Sequence, residues 1–466
     1  MGARIVVIGA GPSGLMAAGR AAETVAGRAE VLLLERMSRP GNKLRLTGNG
    51  RCNLSHDCDL SQFLTHLGPT GSLLRNSLAR FYVSELCDFL AAHGVPTRRE
   101  PDGRIFPASD RAADVLAALQ GYGRKQGVVL KTSSPVTEII VSEGHGPPPG
   151  RGDETGSLPR GAEGAGPPHD AERNRQPGAR IRPQIAGVRL ENADVVEAQQ
   201  VILATGGLSY PGTGSTGDGY RLAAQLGHTV TPPRPGLVPL VTREGFVPSL
   251  QGLSLRDLRA TLLLGGKALA SARGDLLFTH FGVSGPTILN LSSRLGAALD
   301  AGPLRLCLDL LPDLDESALD QRLRRDLAAP GKACYDLLLK GYVPRALGEV
   351  LMARSGIPRD RPLNQFTAEQ RRRVAQWLKC FELTVVNTRP IEEAMVTVGG
   401  ISTREIEPKT MASRLVRGLY LAGELIDVAG DTGGFNLQIA FTTGRIAGES
   451  AGAAAWRDSS RAPGSQ

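Results

Sequence analysis

The sequence predicts an α/β fold in which a Rossmann-like dinucleotide-binding domain is interrupted by a β-rich insert. Three observations carry this. The chain opens on a short apolar strand, a Gly-x-Gly-x-x-Gly turn and a helix-forming run. A second apolar strand follows and ends in an acidic residue at the spacing a ribose contact needs. From Pro232 to about Asn387 the pattern changes to short strands separated by turns, and a strand ending in Gly-Glu returns only after it.

Each element has a physical reason. Arg4-Ile-Val-Val-Ile8 is β-branched and apolar, as a buried strand is. Gly9-Ala-Gly-Pro-Ser-Gly14 follows it. Gly9 permits a tight turn, Gly11 lets backbone approach a pyrophosphate, and Gly14 lets the next helix pack close to the strand. Leu15-Met-Ala-Ala-Gly-Arg-Ala-Ala22 favours helix, whose free N–H groups and dipole face phosphate. Val31-Leu-Leu-Leu34 is the second strand, and Glu35 is placed to accept hydrogen bonds from an adenosine ribose. Past a polar loop, Leu44-Arg-Leu-Thr-Gly-Asn-Gly-Arg-Cys-Asn53 combines a glycine turn with Arg45 and Arg51. Its position predicts that it lies along the phosphates and second half of a bound dinucleotide.

Helices are predicted over 73–93 and 112–126, and strands over 128–130 and 135–142. Residues 143–183 are Gly-, Pro-, Arg- and Glu-rich, and predict a disordered insertion that splits a hairpin. The hairpin resumes at Gly187–Leu190 and Ala193–Ala198. Gln200 to Ala204 is a buried strand running into Thr205, Gly206 and Gly207. Gly212 to Gly217 repeats the Gly-x-Gly-x-x-Gly pattern. However, the strand has already ended, Pro211 precedes the first glycine and no carboxylate follows about 20 residues on, so no dedicated nicotinamide domain is expected. Within the insert, strands are expected over 237–241, 258–264, 267–272 and 304–308, a loop over 276–286, and helices from Thr287 onward. The chain returns through Gly418–Glu424 to a helix from about Asn436 to Gly448, whose N-terminus suits the negative edge of a reduced flavin.

The 466 residues exceed what one core usually supports. The expected organisation is 1–207 as the first part of the nucleotide domain, 208–388 as the insert, 389–450 as the last part, and 451–466 as a flexible tail. Net charge is +8, but the longest basic run is Arg371-Arg-Arg373, which predicts a solvated face and no nucleic-acid partner. No apolar run approaches the ~18 residues of a membrane span. The six cysteines are scattered without a C-x-x-C, which predicts reduced thiols, no metal site and a cytoplasmic protein. Five residues separate Cys52 from Cys58, which argues against a catalytic disulfide on one helical turn.

Several motifs occur together and in order: the glycine turn, Glu35, Thr47-Gly-Asn-Gly-Arg-Cys-Asn53, Ala204-Thr-Gly-Gly207, Ser215-Thr-Gly-Asp-Gly219, Phe278-Thr-His-Phe-Gly-Val-Ser-Gly-Pro286, Glu407-Pro-Lys-Thr-Met411, Ala422-Gly-Glu424 and Thr432-Gly-Gly-Phe-Asn-Leu-Gln438. With these the chain resembles the bacterial NAD(P)/FAD-dependent oxidoreductases of BaiN-like (bile-acid-reductase) or aminoacetone-oxidase type. More distantly it resembles fumarate reductase and aspartate oxidase flavoproteins. The resemblance implies FAD as the dinucleotide. By motif position Gly9, Gly11, Ser13 and Gly14 would hold pyrophosphate, with Glu35 and Arg36 at the adenosine ribose and Val136 near adenine. Lys43, Thr47 and Asn53 would line the flavin side, and Ala204, Thr205 and Gly206 would cross the cofactor. Gly423, Glu424 and Asp427 would meet the ribityl chain or phosphates, and Gly434, Asn436 and Leu437 the ring.

The expected activity is hydride transfer between flavin N5 and a small organic substrate held between the FAD domain and the insert, with NAD(P)H as a transient donor. Arg51, His280, Ser284 and Thr397 are the candidate substrate-side groups. His280 could protonate a carbanion as hydride adds, or could be a turn residue capping the following helix. The alternative from another class is a flavoprotein that acts on RNA or uses FAD structurally.

Overall fold

The computed structural model describes residues 3–142, 182–328 and 334–461. Nearly all of the predicted insertion (143–183) therefore lies outside the described residues. Its flanks do not: Val136–Ser142 pairs antiparallel with Gln184–Leu190, which pairs with Val195–Glu197, so the split hairpin is joined.

β1 (Ala3–Ile8), α1 (Pro12–Val25) and β2 (Ala29–Leu34) form the opening unit. β1 is the centre of a five-stranded parallel sheet. Gln200–Leu203 and then Leu419–Leu421 lie on one side, and β2 and Val129–Lys131 on the other. Ile5 to Ile8 are buried without alternation because both faces of the sheet are covered.

The C-terminal helix, Phe435–Arg461, lies against α1. Glycines recur every fourth residue on that contact. A Cβ at Gly444 would stand 2.2 Å from the Ser13 carbonyl oxygen, one at Gly448 2.3 Å from that of Ala17, and one at Gly452 3.0 Å from that of Ala21. This helix outruns the sequence-based boundary, because Ala451 and Ala455 are buried where a flexible tail from 451 is predicted. Its Ala- and Gly-rich sequence has little amphipathic pattern, yet it permits backbone-to-backbone packing.

Six strands of the described chain close into an antiparallel barrel in the order Leu240–Thr242, Gly282–Ser284, Lys267–Phe278, Ser254–Leu264, Leu304–Asp309 and Phe381–Thr388. Helices Glu316–Leu327, Tyr335–Lys340, Arg345–Ser355 and Ala368–Lys379 share its core. Two details differ from the sequence-based expectation. Gly282–Ser284 is a strand within the predicted loop, and a Cβ at Gly282 would stand 2.1 Å from the Leu240 carbonyl oxygen, so a turn-forming residue type here serves close strand pairing. Tyr220, Leu222 and Ala223, assigned to the insert by sequence, pack in the core of the parallel sheet. The expectation of six thiols also needs correcting: Cys307, inside the strand Leu304–Asp309, and Cys380, just before the neighbouring strand Phe381–Thr388, are joined as a disulfide with Cα atoms 5.0 Å apart. Their separation of 73 residues hides that proximity in the sequence.

His228 ties the sheet's flank together. It is 4% exposed, with Nδ1 2.9 Å from a Glu405 carboxylate oxygen and Nε2 2.8 Å from Ser413 Oγ. Ser413 Oγ already accepts the Leu415 and Val416 N–H groups, so its proton goes to Nε2 and His228 Nδ1–H donates to Glu405. Burial lowers the imidazole's pKa, and Glu405 only partly offsets this. The unfolded chain therefore takes up the proton first as pH falls below about 6.5. Stability contributed here is complete above that value and declines on acidification. Thermal melts at pH 7 and pH 5.5 should show a smaller drop in His228→Gln than in the parent; an equal drop would reject the assignment.

Candidate functional site

A cleft of about 1320 Å³, including its open mouth, runs along the C-terminal ends of the parallel strands, where Ile8, Leu34 and Ala204 border it. At one end stand Glu35, Arg36, Val136 and the Thr213–Thr216 turn. Gly9, Gly11, Ser13 and Ala204 to Gly206 form the middle, and Lys43, Thr47, Glu424, Asn436 and Leu437 the other end.

The glycine turn is built as its spacing predicts. Gly9 has φ +99° and its N–H donates to the Leu34 carbonyl at 2.8 Å. A Cβ there would stand 2.6 Å from the Ala204 carbonyl oxygen. The missing side chain of Gly11 faces open space, and no side chain caps the N-terminus of α1. Glu35 is 8% exposed; one oxygen accepts the Ala10 N–H and the other the Met37 N–H, both at 2.8 Å. Each oxygen keeps a second lone pair. An open backbone cradle, an uncapped helix N-terminus and a fixed acid fit the adenosine diphosphate half of a dinucleotide.

Five residues assigned by motif do not line the cleft but support it. A Cβ at Gly14 would stand 1.8 Å from the Gly9 carbonyl oxygen, and one at Gly423 2.5 Å from Ser13 Oγ. Gly434, at φ +104°, opens the C-terminal helix against Ser55, and the buried Asn53 Oδ1 faces it without a hydrogen-bond partner. Asp427 acts through its backbone, its N–H donating to Ile401 and its carbonyl accepting from the Thr70 hydroxyl.

Other lining residues were missed by the sequence-based assignment. The Thr213–Thr216 turn lines the cleft at the Glu35–Arg36 end, where Arg36 bonds Thr216 and Asp218. The quoted Ser-Thr-Gly-Asp-Gly motif was its signal. At the opposite end Lys43 Nζ donates to Glu424 Oε2 and to Ser209 Oγ, both at 2.6 Å. Glu424 Oε1 accepts the Ser209 hydroxyl at 2.9 Å and the Thr397 N–H at 2.8 Å. Burial opposes ionisation of Glu424, but Lys43, the Thr397 N–H and the Ser209 hydroxyl outweigh it and hold the carboxyl below its usual range. Thr397 Oγ1 accepts the N–H groups of Leu208 and Ser209, which makes it a positioning residue.

The remaining substrate-side candidates lie elsewhere. Arg51 is engaged by Glu100 at 2.5 Å and Asp110 at 2.8 Å and stacks over Phe106, so its charge is neutralised by the segment around the Arg104–Pro107 strand. His280 is exposed in the turn between two barrel strands, edge-on to Phe281, and the following helix is capped by Gly285 instead. Ser284 pairs in the barrel with Leu277. Burial pushes the Cys52 thiol up to about 12, which removes it from nucleophilic or redox work. Where the barrel side meets the cleft side, Asp431 bonds His66 and Arg294, each at 3.0 Å, and Asn290 Oδ1 accepts the Thr432 N–H.

Among the described residues no helix is long and apolar enough to cross a membrane, and no cluster of His, Cys, Asp and Glu could hold a metal.

The family model described as HI0933-like protein Rossmann domain matches residues 3–146 and 174–450. A 3-dehydro-bile acid delta(4,6)-reductase of Clostridium scindens is 33% identical over 451 residues, covering 96% of this chain and 98% of the relative. A ribosomal RNA dihydrouridine synthase of Escherichia coli is 29% identical over 440 residues, covering 94% and 95%. Among solved structures, a 3-ketosteroid-delta4-(5alpha)-dehydrogenase from Rhodococcus jostii aligns over 97% of both chains with 17% identity and a TM-score of 0.47.

Proposed function

This chain belongs to the HI0933-like family of Rossmann flavoproteins, and from that premise we propose that it saturates a carbon–carbon double bond conjugated to a carbonyl, with FAD in the cleft and NADH or NADPH as the reductant. Membership makes it an FAD-dependent oxidoreductase. The observation that carries the substrate class is a common chemistry in two relatives. A 3-dehydro steroid with 4,6 unsaturation and a uracil ring are both conjugated to a carbonyl, and both relatives are named for reducing or hydrogenating them.

Bound FAD supplies hydride exchange at its ring nitrogen N5. The chain's own residues do the rest. The glycine turn and the α1 N-terminus hold the pyrophosphate, and Glu35 and Arg36 hold the ribose end. Lys43, Thr47, Asn436 and Leu437, which also line the cleft, would face the ring. His66, Asp431 and Arg294 sit where a substrate between barrel and cleft would meet polar groups.

The second reading is RNA as the substrate's carrier, favoured by the match to a ribosomal-RNA enzyme across 94% of this chain and by the +8 charge. It reopens the sequence-based expectation of no nucleic-acid partner. The test uses the yellow holoprotein without oxygen. NADH and then NADPH are expected to bleach the flavin. Dithionite-reduced enzyme is then mixed with a 3-oxo-4,6-diene bile acid or with ribosomal RNA. Reoxidation by the dienone supports the small-molecule reading, and reoxidation by RNA alone moves the assignment to the second. Reoxidation by neither rejects the substrate class.

A further inference from the structure

We propose that the Lys43–Glu424 ion pair sets the redox poise of the flavin in the cleft, Lys43 favouring the reduced ring and Glu424 opposing it. The inference rests on FAD being the occupant. Six charged side chains line the cleft. Glu35 and Arg36 follow the second strand at the end assigned to the ribose, Asp218 is bonded to Arg36, and Arg39 lies three residues past Arg36. Lys43 and Glu424 line the same cleft as Thr47, Asn436 and Leu437, the residues that the motifs assign to the flavin side, and Glu424 is the motif's ribityl-side acid. Their side chains are 22% and 23% exposed, so solvent screens them less than a surface pair.

The pair is also rigid. Glu424 is gripped by the Lys43 ammonium, the Ser209 hydroxyl and the Thr397 N–H. Lys43 spends two of its three protons, on Glu424 and Ser209, and keeps one. Reducing a flavin places more negative charge on the ring. A fixed cation at that end favours the reduced form and a fixed anion disfavours it. A pair that served only packing would produce no such opposition of sign.

The same residues fasten the chain where it leaves the parallel sheet and where it returns. Thr397 Oγ1 accepts from Leu208 and Ser209, and Glu424 bonds Ser209 and Thr397. A structural control is therefore needed, and Thr397→Val supplies it by removing the hydroxyl while leaving both charges.

The experiment is dye-coupled measurement of the flavin midpoint potential in holoprotein at a mildly alkaline pH, where the carboxyl stays ionised. Lys43→Gln is expected to shift the reduction equilibrium at least tenfold toward the oxidised form, about 30 mV for a two-electron couple. Glu424→Gln is expected to shift it at least threefold the other way. The double variant should return to within threefold of the parent, as should Lys43→Arg. Thr397→Val should melt earlier with its potential within twofold. Should Lys43→Gln not retain FAD, the rise in Glu424→Gln and the parental value in Lys43→Arg decide the matter. Shifts of the same sign, shifts under twofold, or an equal shift in Thr397→Val overturn the proposal. A parent protein that neither carries nor takes up FAD overturns the cofactor reading and this inference with it.

Discussion

Alanine at Gly14 is expected to give a colourless, less stable protein, whereas alanine at Gly11 is expected to keep the fold and lose only affinity for FAD. The two glycines are three residues apart in one motif, yet they meet different surroundings. The new Cβ at Gly14 would lie 1.8 Å from the Gly9 carbonyl oxygen and 3.5 Å from Ala204 Cβ. One near atom belongs to the turn that must stay tight and the other to the end of the neighbouring strand Gln200–Leu203, so α1 would have to lift from the sheet. Overpacking of this kind costs about 1–3 kcal/mol and sometimes more. The new Cβ at Gly11 would meet no protein atom within 4 Å, and its backbone is already extended at φ −75°. Apoprotein stability should then be unchanged or rise by about 0.4–1 kcal/mol. The methyl group would instead occupy space in the cleft, and FAD should bind at least tenfold more weakly. Thermal melts of apoprotein and a fluorescence titration with FAD separate the two effects. Retained FAD and an unchanged melting point in Gly14→Ala would mean that the turn is looser than described.

The second expected result concerns the helix pair behind the cleft. Gly448→Ala should destabilise by about 1–3 kcal/mol, because its Cβ would lie 2.3 Å from the Ala17 carbonyl oxygen and 2.9 Å from Ala17 Cα. No side chain can turn aside to relieve that contact. The same substitution at Gly121, within the helix Ala112–Lys125, meets nothing within 4 Å. There the better helix propensity of alanine should stabilise by about 0.5–1 kcal/mol. Opposite signs from one chemical change would establish that α1 and the C-terminal helix touch through their backbones. Equal effects would refute it.

The sequence discloses most where the site is local. Strand, turn, helix, strand and Glu35 fall within the first 35 residues, and each contact there joins near neighbours or adjacent strands. The barrel's long strands and the helices behind it also show through their own periodicity. What stays hidden depends on distant partners. Lys43 and Glu424 are 381 positions apart, and neither position alone announces an ion pair. Arg51 reads as a free cation beside a glycine turn until Glu100 and Asp110 are brought to it. In the sequence Gly14, Gly423 and Gly434 read as ligand contacts, because glycine signals close approach without saying to what. Here the close approach is to the protein's own backbone or side chains. The repeated glycine motif at Gly212 does not reveal in the sequence which site it serves, and only the folded chain shows the Thr213–Thr216 turn bordering the same cleft.

The seating of α1 against the C-terminal helix bears on how the protein is made. The two helices come from opposite ends of the chain, and the parallel sheet takes strands from residue 3 to residue 421. A growing chain that has passed Thr388 already holds every strand of the barrel, whose core draws on residues from Leu240 to Val385. It still lacks the last strand of the sheet and the helix that covers α1. The barrel can therefore form while synthesis continues, and the cofactor cleft, although its glycine turn is translated before the barrel, is finished after it. Until then the small-residue face of α1 has no partner.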